Sequence, residues 1–289
     1  MKVFVGGWVS LCLAFGLVPV GFAGSPEASD FSDRTELAAS GHGVALVPAA
    51  SRGEQADAFI VWDSGGFVTH PGAGVDGADV SMASKDQNTA GDNVRQFEKN
   101  EYFRIADRFE LSQTTGLARL ATFGYEPFVA PPTWTSRNLK IWSGMPGEPD
   151  SEVLFERQYS ILDADFTGVY RVLHLGDLSD VRRPIYEISW DLTAVDSTAP
   201  LWLDAGEYWI DWQVVGGATG WTVYVMQPNP EDPDQPVTPP GDGLQLRPVG
   251  WTAIEVATPF LLFGLSEALF QDRFEGLELP KASGATVAR

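Results

Sequence analysis

The chain has 289 residues, a formal net charge of −20 at neutral pH and a single cysteine, Cys12. An acidic excess of this size repels nucleic acids and anionic membranes, so neither is an expected partner. One cysteine excludes a disulfide within the chain and a zinc site built from several thiolates. A chain of this length can nevertheless bury a substantial core without such cross-links.

The first 23 residues have the three parts of a secretory signal peptide. Lys2 provides a positive charge, Val3 to Phe22 is almost wholly apolar, and Gly21 and Ala23 are small residues at the −3 and −1 positions of a cleavage site. The alternative is a membrane anchor, since about 20 apolar residues are enough to span a bilayer. Glycines and a proline interrupt the run, which favours cleavage. We therefore expect a secreted or cell-envelope protein with no membrane span after cleavage.

Composition divides the chain into four segments. The signal peptide covers 1–23, and 24–56 is a lead-in rich in Ala, Ser, Gly and charge. A β-domain is predicted over 57–266, where short runs of Val, Ile, Tyr, Phe and Trp alternate with Gly, Pro, Asp and Asn clusters. The last segment, 267–289, is a tail.

Ten runs within this domain have the composition of β-strands. They are Ala58–Trp62, Tyr102–Leu111, Leu117–Tyr125, Asn138–Trp142, Glu152–Tyr159, Gly168–His174, Pro184–Leu192, Glu207–Val215, Trp221–Met226 and Pro259–Phe263.

Two of the strands alternate strictly between apolar and polar residues. The apolar positions are Tyr186, Ile188, Trp190 and Leu192 in one strand and Tyr208, Ile210, Trp212 and Val214 in the other. Such alternation indicates antiparallel strands with one face buried and one face in water. No long stretch has helical periodicity, which argues against a parallel α/β fold. The sequence therefore predicts an all-β fold, an antiparallel two-sheet sandwich of jelly-roll type.

Two segments interrupt the strand pattern. Gly65–Asn100 is long and rich in Gly, Asp, Ser and Asn, and a loop of that length is usually functional or disordered. Pro228–Gly243 is rich in Pro and Asp, and its prolines exclude a central strand. We expect it to be an exposed loop that precedes the last strands.

Several short patterns resemble a group of exported bacterial proteins of unknown function. FIVWDSGGFVTHPGAGVDGADVSM (Phe59–Met82) is similar to the "vWDnGgfvThpgaG" opening of that group, and Ile105–Phe109 is similar to its "aDDF" strand, with Arg108 in place of the second acid. Asn138–Ser151 resembles a later strand and turn, and the tail Ala268–Glu278 resembles an "iFaDGFE" tail. The resemblance implies export and a β-sandwich domain. It supplies no catalytic residues.

No catalytic set stands out in the sequence. The three histidines, His42, His70 and His174, are not accompanied by a G-x-S-x-G turn that would present a serine nucleophile. A glycosidase needs two acids on either side of one sugar bond. The acids available on alternating strands are Glu187, Asp191, Glu207 and Asp211. Because alternation places acids on any solvated strand face, this pattern is weak support for an enzyme.

Metal binding is a further possibility in the glycine-rich segment. Asp63, Asp76 and Asp79 lie in or beside it, and glycines allow backbone carbonyls to turn toward a structural calcium ion. The segment does not match an EF-hand loop. Turns in which Asp bonds to a nearby backbone amide explain the same residues equally well. No other cofactor is indicated.

The chain has ten tryptophans, and flat aromatic rings can stack on the apolar face of a sugar. Trp209 and Asp211 are in phase on the polar side of their strand, Trp142 is in phase with Lys140, and Trp134 follows two prolines. We expect these three tryptophans to be exposed and, with Asp211, to be candidates for glycan binding. The expected core or core-rim tryptophans are Trp62, Trp190, Trp202, Trp212, Trp221 and Trp251.

Two functional hypotheses follow. The first is a non-catalytic exported module that binds a polysaccharide or another cell-surface partner, or has a structural role. The second is a secreted carbohydrate-active hydrolase that uses paired carboxylates.

Overall fold

The computed structural model describes residues 59–85, 92–95, 102–160, 164–193, 200–232 and 234–265. These residues form fourteen β-strands, which confirms the all-β prediction. The strands are β1 (Phe59–Asp63), β2 (Asp79–Met82), β3 (Ile105–Leu111), β4 (Thr115–Tyr125), β5 (Trp134–Trp142), β6 (Val153–Tyr159), β7 (Ala164–Val172), β8 (Pro184–Asp191), β9 (Leu201–Leu203), β10 (Gly206–Gly216), β11 (Trp221–Thr222), β12 (Leu244–Arg247), β13 (Gly250–Ala253) and β14 (Phe260–Leu265). Within these ranges no helix is long and apolar enough to cross a membrane.

The strands form two sheets that pack face to face as a sandwich. The first sheet has the order β1-β14-β4-β8-β7-β2, with β9 and β11 paired to further stretches of β4. The second has the order β13-β12-β3-β10-β5-β6. All pairings between named strands are antiparallel except that of β2 with β7, which is parallel. The predicted two-sheet sandwich is thus confirmed, with this one parallel pair added.

The main core lies between the two sheets. Trp190 on β8 and Trp212 on β10 are fully buried, and their rings meet edge to face with centroids 6.2 Å apart. Burying one such ring removes roughly 150–250 Å² from water, roughly 4–6 kcal/mol at ~25 cal/mol per Å². The alternation in the sequence assigned both residues to the inner face correctly.

The outer faces of the sheets are also covered. On the first sheet, Phe67 packs against Phe123 with ring centroids 4.9 Å apart, and both are buried. On the second sheet, Trp209 is buried with Leu244 of β12 against the partly buried Trp251 of β13. The expectation that the polar strand faces lie in water is therefore wrong for much of both sheets.

All ten predicted strands are present, although their ends differ by several residues. Four strands were missed: β2, β9, β12 and β13. They are three or four residues long, shorter than a typical strand of about 5–6 residues, so their periodicity cannot be recognised in the sequence. Part of Gly65–Asn100 is ordered as β2 and a 3₁₀ turn, Val75–Gly77, rather than a loop throughout. Among the described residues of Pro228–Gly243 only isolated bridges occur, at Val237 and Pro240.

The predicted signal peptide, lead-in and tail lie outside the described residues, as does His42.

At one side of the sandwich, an edge strand of the first sheet lies near an incompletely paired strand of the second sheet. β1 is the edge strand of the first sheet and pairs with β14. β3 pairs with β10 along its full length, but β12 reaches it only at Ile105 and Ala106. Over the described ranges, no strand therefore pairs with the other edge of β3 beyond Ala106, and this edge approaches β1.

Candidate functional site

An open groove separates β1 from the β3–β4 turn. Its walls are Phe59–Trp62 on one side and Glu110–Gln113 with Thr115 on the other. The cavity has a volume of about 420 Å³. Pockets that bind small ligands usually measure ~300–1,000 Å³, so the groove has the size of a ligand site.

The β1 wall is apolar and is shaped by a bulge. The register with β14 shifts between Ile60 and Trp62, so Val61 and Trp62 both pack against the main core. Trp62 is half-buried, and its indole nitrogen is buried without a hydrogen-bond partner among the described residues. What its side chain presents to the groove is therefore carbon.

The opposite wall is polar. Glu110, Ser112 and Gln113 are exposed at the end of β3 and in the turn that follows. A carboxylate, a hydroxyl and an amide at this rim provide both donors and acceptors. One apolar aromatic wall facing one polar wall is an amphipathic arrangement.

The charge beside this wall is negative. Glu110 lies directly opposite Glu207 of β10. Arg108, two residues before Glu110 on the same strand face, forms ion pairs with Glu207 at 2.7 Å and with Asp242 at 3.0 Å. Its hydrogen bond to Glu207 raises the pKa of the Arg108 guanidinium above its usual value. Two carboxylates thus pair with one guanidinium, and the charge of Glu110 acts on the same guanidinium.

The described lining of the groove has one ionisable side chain. Among the described residues, Glu110 is its only carboxylate, and no histidine, lysine or arginine lines it. Hydrolysis of a glycosidic bond needs two carboxyl groups about 5–9.5 Å apart across the bond. The described lining residues include no second acid for that reaction, and they offer aromatic and hydrogen-bonding groups instead.

Two of the three tryptophans predicted to be exposed are buried, so that prediction is wrong for Trp134 and Trp209. Trp134 lies in the main core at 4% exposure, and its Nε1–H donates to the carbonyl of Thr219 at 2.8 Å. Trp209 is 5% exposed because it packs on the outer face of its sheet in a cluster with Leu244 of β12 and the partly buried Trp251 of β13. Trp142 is half-buried on the same face.

Asp211 is fully buried, contrary to its predicted place on an exposed face. It forms an ion pair with Arg104, and the Trp142 Nε1–H donates to its Oδ2 at 3.1 Å. Burial raises the pKa of the Asp211 carboxyl, and the neighbouring guanidinium of Arg104 opposes that rise. The same Arg104 also donates to Gln213, so this is an internal polar network rather than a ligand surface.

The four acids considered for hydrolysis are not brought to one cleft. Glu187 and Asp191 project from the outer face of the first sheet, opposite in phase to the core residues of β8. Glu207 and Asp211 project from the outer face of the second sheet. Glu187 is buried and paired with Arg119 at 2.9 Å. The structure gives no support for the paired-carboxylate hypothesis at these positions.

The predicted calcium ligands lie in local turns. The Gly65 N–H donates to Asp63 Oδ1 at 2.8 Å, and the Gly72 N–H donates to Asp79 Oδ1 at 2.7 Å. Asp76 is exposed in the 3₁₀ turn. Over the described ranges, no three His, Cys, Asp or Glu side chains are grouped to hold a metal ion. Bound calcium stays a prediction.

The two described histidines lie beside neighbouring strands of the first sheet, His70 next to β2 and His174 after β7. His70 pairs with Val80 of β2, and its Nδ1 is 2.8 Å from the Thr69 hydroxyl. That hydroxyl also contacts the Val80 carbonyl at 3.1 Å, which makes it part of the strand pairing. His174 lies in the turn after β7.

Sequence reasoning missed Glu110, Ser112 and Gln113 as site residues and placed Trp62 in the core or at its rim. The groove exists because β1 approaches β3 across the open edge of the sandwich, and no local pattern predicts that approach. No model of a known protein family, no curated protein and no solved structure matches the chain. The geometry of the groove is therefore the main indication of function.

Proposed function

We propose that the protein is an exported, non-catalytic module that binds a glycan in the groove between β1 and the β3–β4 turn. Export is supported by the signal-peptide pattern of residues 1–23. Glycan binding is supported mainly by one observation: an aromatic wall and a polar rim, with Glu110 as the one carboxylate among the described lining residues, face each other across a cavity of about 420 Å³.

A sugar ring matches these walls. Its C–H face is apolar and would pack on the carbon surface of Trp62, as aromatic side chains allow. Its hydroxyls both donate and accept hydrogen bonds, and would meet Glu110, Ser112 and Gln113 at the rim. Glu110 is the one carboxylate among the described lining residues, and hydrolysis by paired carboxylates needs two, which favours binding without cleavage.

A glycan array probed with the full-length chain tests the proposal. Affinity electrophoresis against the glycans that bind would then compare the wild type with variants. Gln113→Ala and Glu110→Ala remove exposed groups, so both variants are expected to fold and to weaken binding about 2- to 10-fold each, the value of one hydrogen bond. Trp62→Phe should weaken it further.

Trp251→Phe is the matched control, since Trp251 is a half-buried tryptophan on β13 that does not line the groove. It should bind as the wild type does. A blank array with protein whose unfolding transition is intact, or glycan binding that none of the three groove variants weakens, would refute the proposal.

A further inference from the structure

The charge around the groove restricts which sugars it can take. Of the described residues that line it, only Glu110 is charged. Cross-strand partners have Cβ atoms ~4.5–5.5 Å apart, so Glu110 and Glu207 are close neighbours.

Arg108, the cation beside the groove, is already ion-paired. Its partners are Glu207 and Asp242, and the side chains of these three residues are between 42% and 56% exposed. Together with Glu110, the three carboxylates and this one guanidinium carry a net charge of −2. Asp204 adds another acid beside the same turn, where it accepts a hydrogen bond from the Thr114 hydroxyl at 3.1 Å.

We propose that the groove selects amine-bearing sugars and rejects sugars that carry carboxylate or sulfate. This specificity rests on the proposed glycan binding. The ammonium group of an amino sugar would lie at Glu110, since no cationic residue is among the described residues of the lining and the nearby Arg108 is ion-paired with Glu207 and Asp242. A uronic acid placed there would bring a like charge against Glu110.

The size of the effect follows from Coulomb's law. Two unit charges about 4 Å apart in a solvent-exposed site have an interaction free energy that changes the affinity about fivefold. We expect an amine-bearing sugar to bind at least about fivefold more tightly than its neutral counterpart, and a uronic acid at least about fivefold more weakly. Both differences should shrink in high salt, since exposed charges are screened.

Three probes separate charge from shape. Oligosaccharides of β-1,4-linked glucosamine, glucose and glucuronic acid share the ring and the linkage and differ in charge. Calorimetric titration of the full-length chain should rank them in that order of affinity. Glu110→Gln should bind the glucosamine oligomer about fivefold more weakly than the wild type does, and the glucuronic acid oligomer more tightly.

A control is needed because the whole chain is acidic. Asp165→Asn removes the same charge from an exposed position on β7, which is four strands from β1 in the first sheet. This variant should keep the ranking of the wild type. If Glu110→Gln and Asp165→Asn change the affinities equally, attraction is non-specific and the inference is overturned.

The remaining outcomes are also decisive. Binding of the glucuronic acid oligomer, or of sulfated array glycans, as tightly as the glucosamine oligomer would overturn the specificity while leaving glycan binding intact. Failure of all three probes to bind would overturn the inference as well, and the array would then decide separately whether the proposed function stands.

Discussion

A buried carboxylate between the sheets makes stability depend on pH in an unusual direction. Asp107 on β3 is 4% exposed. Its Oδ2 accepts the Thr258 N–H at 2.6 Å and the Thr258 hydroxyl at 3.0 Å, and its Oδ1 accepts the Arg108 N–H at 2.8 Å. Burial outweighs these hydrogen bonds, and nearby Asp242 adds to its effect, so the pKa of Asp107 rises from 3.8 to about 6.

The sign follows from proton linkage. The folded state binds the Asp107 proton more tightly than the unfolded state does, so the free energy of unfolding falls as pH rises from below 3.8 through about 6. Since one pKa unit corresponds to ~1.36 kcal/mol, the total loss is about 3 kcal/mol. About half of it, ~1.4 kcal/mol, should occur between about pH 5 and pH 7.5.

Urea denaturation of the wild type and of Asp107→Asn measures this loss. Other carboxyls titrate in the same range, so the informative quantity is the wild-type free energy of unfolding minus that of the variant at each pH. This difference should fall by about 1–2 kcal/mol from about pH 5 to pH 7.5. A difference that stays flat or rises over that range would show that the three hydrogen bonds outweigh burial and that the reasoning is wrong.

Three further perturbations test the packing. Arg104→Met leaves the buried carboxylate of Asp211 without its ion pair, so the free energy of unfolding measured by urea denaturation should fall by about 3–5 kcal/mol. A fall of less than about 1 kcal/mol would contradict the role of this ion pair. In Gly243→Ala the new Cβ would lie 2.2 Å from a backbone carbonyl oxygen, so the melting temperature should drop by several degrees. In the control Gly66→Ala the new Cβ would have nothing within 4 Å, so the melting temperature should not change. Equal shifts in the two variants would contradict this packing. Burial raises the pKa of the Glu126 carboxyl, but hydrogen bonds from backbone N–H groups of two loops outweigh burial and lower that pKa. Glu126→Gln should therefore destabilise the fold by about 1–3 kcal/mol at neutral pH, and by less below about pH 4. A loss of stability that does not shrink in acid would argue against this role of Glu126.

The alternation of apolar and polar residues predicted correctly which face of a strand lies in the core between the sheets. The alternation in β8 and β10 assigned Trp190 and Trp212 to the inner face, because the side-chain period of a strand is independent of its neighbours. The same alternation could not show that residues on the other face of β10 are buried as well. Trp209 packs with residues of β12 and β13, which lie more than thirty residues further along the chain. Asp211 is paired with Arg104, which lies more than a hundred residues earlier, and no local pattern links these residues to β10.

The groove was harder to predict for the same reason. Trp62 and Glu110 are nearly fifty residues apart, and they line one cavity only because β1 ends the first sheet where β3 loses its β12 partner. The resemblance and the composition pointed correctly to a β-sandwich but contain no information on which strand edges face each other.

The most direct test of glycan binding in the groove is an NMR titration that follows the indole N–H resonances of the tryptophans. As a glycan that binds on the array is added to the full-length chain, the Trp62 resonance should shift in step with binding, and those of Trp134 and Trp251, which lie outside the lining, should not. Saturable shifts at Trp134 or Trp251 with none at Trp62 would place the ligand elsewhere and contradict the account.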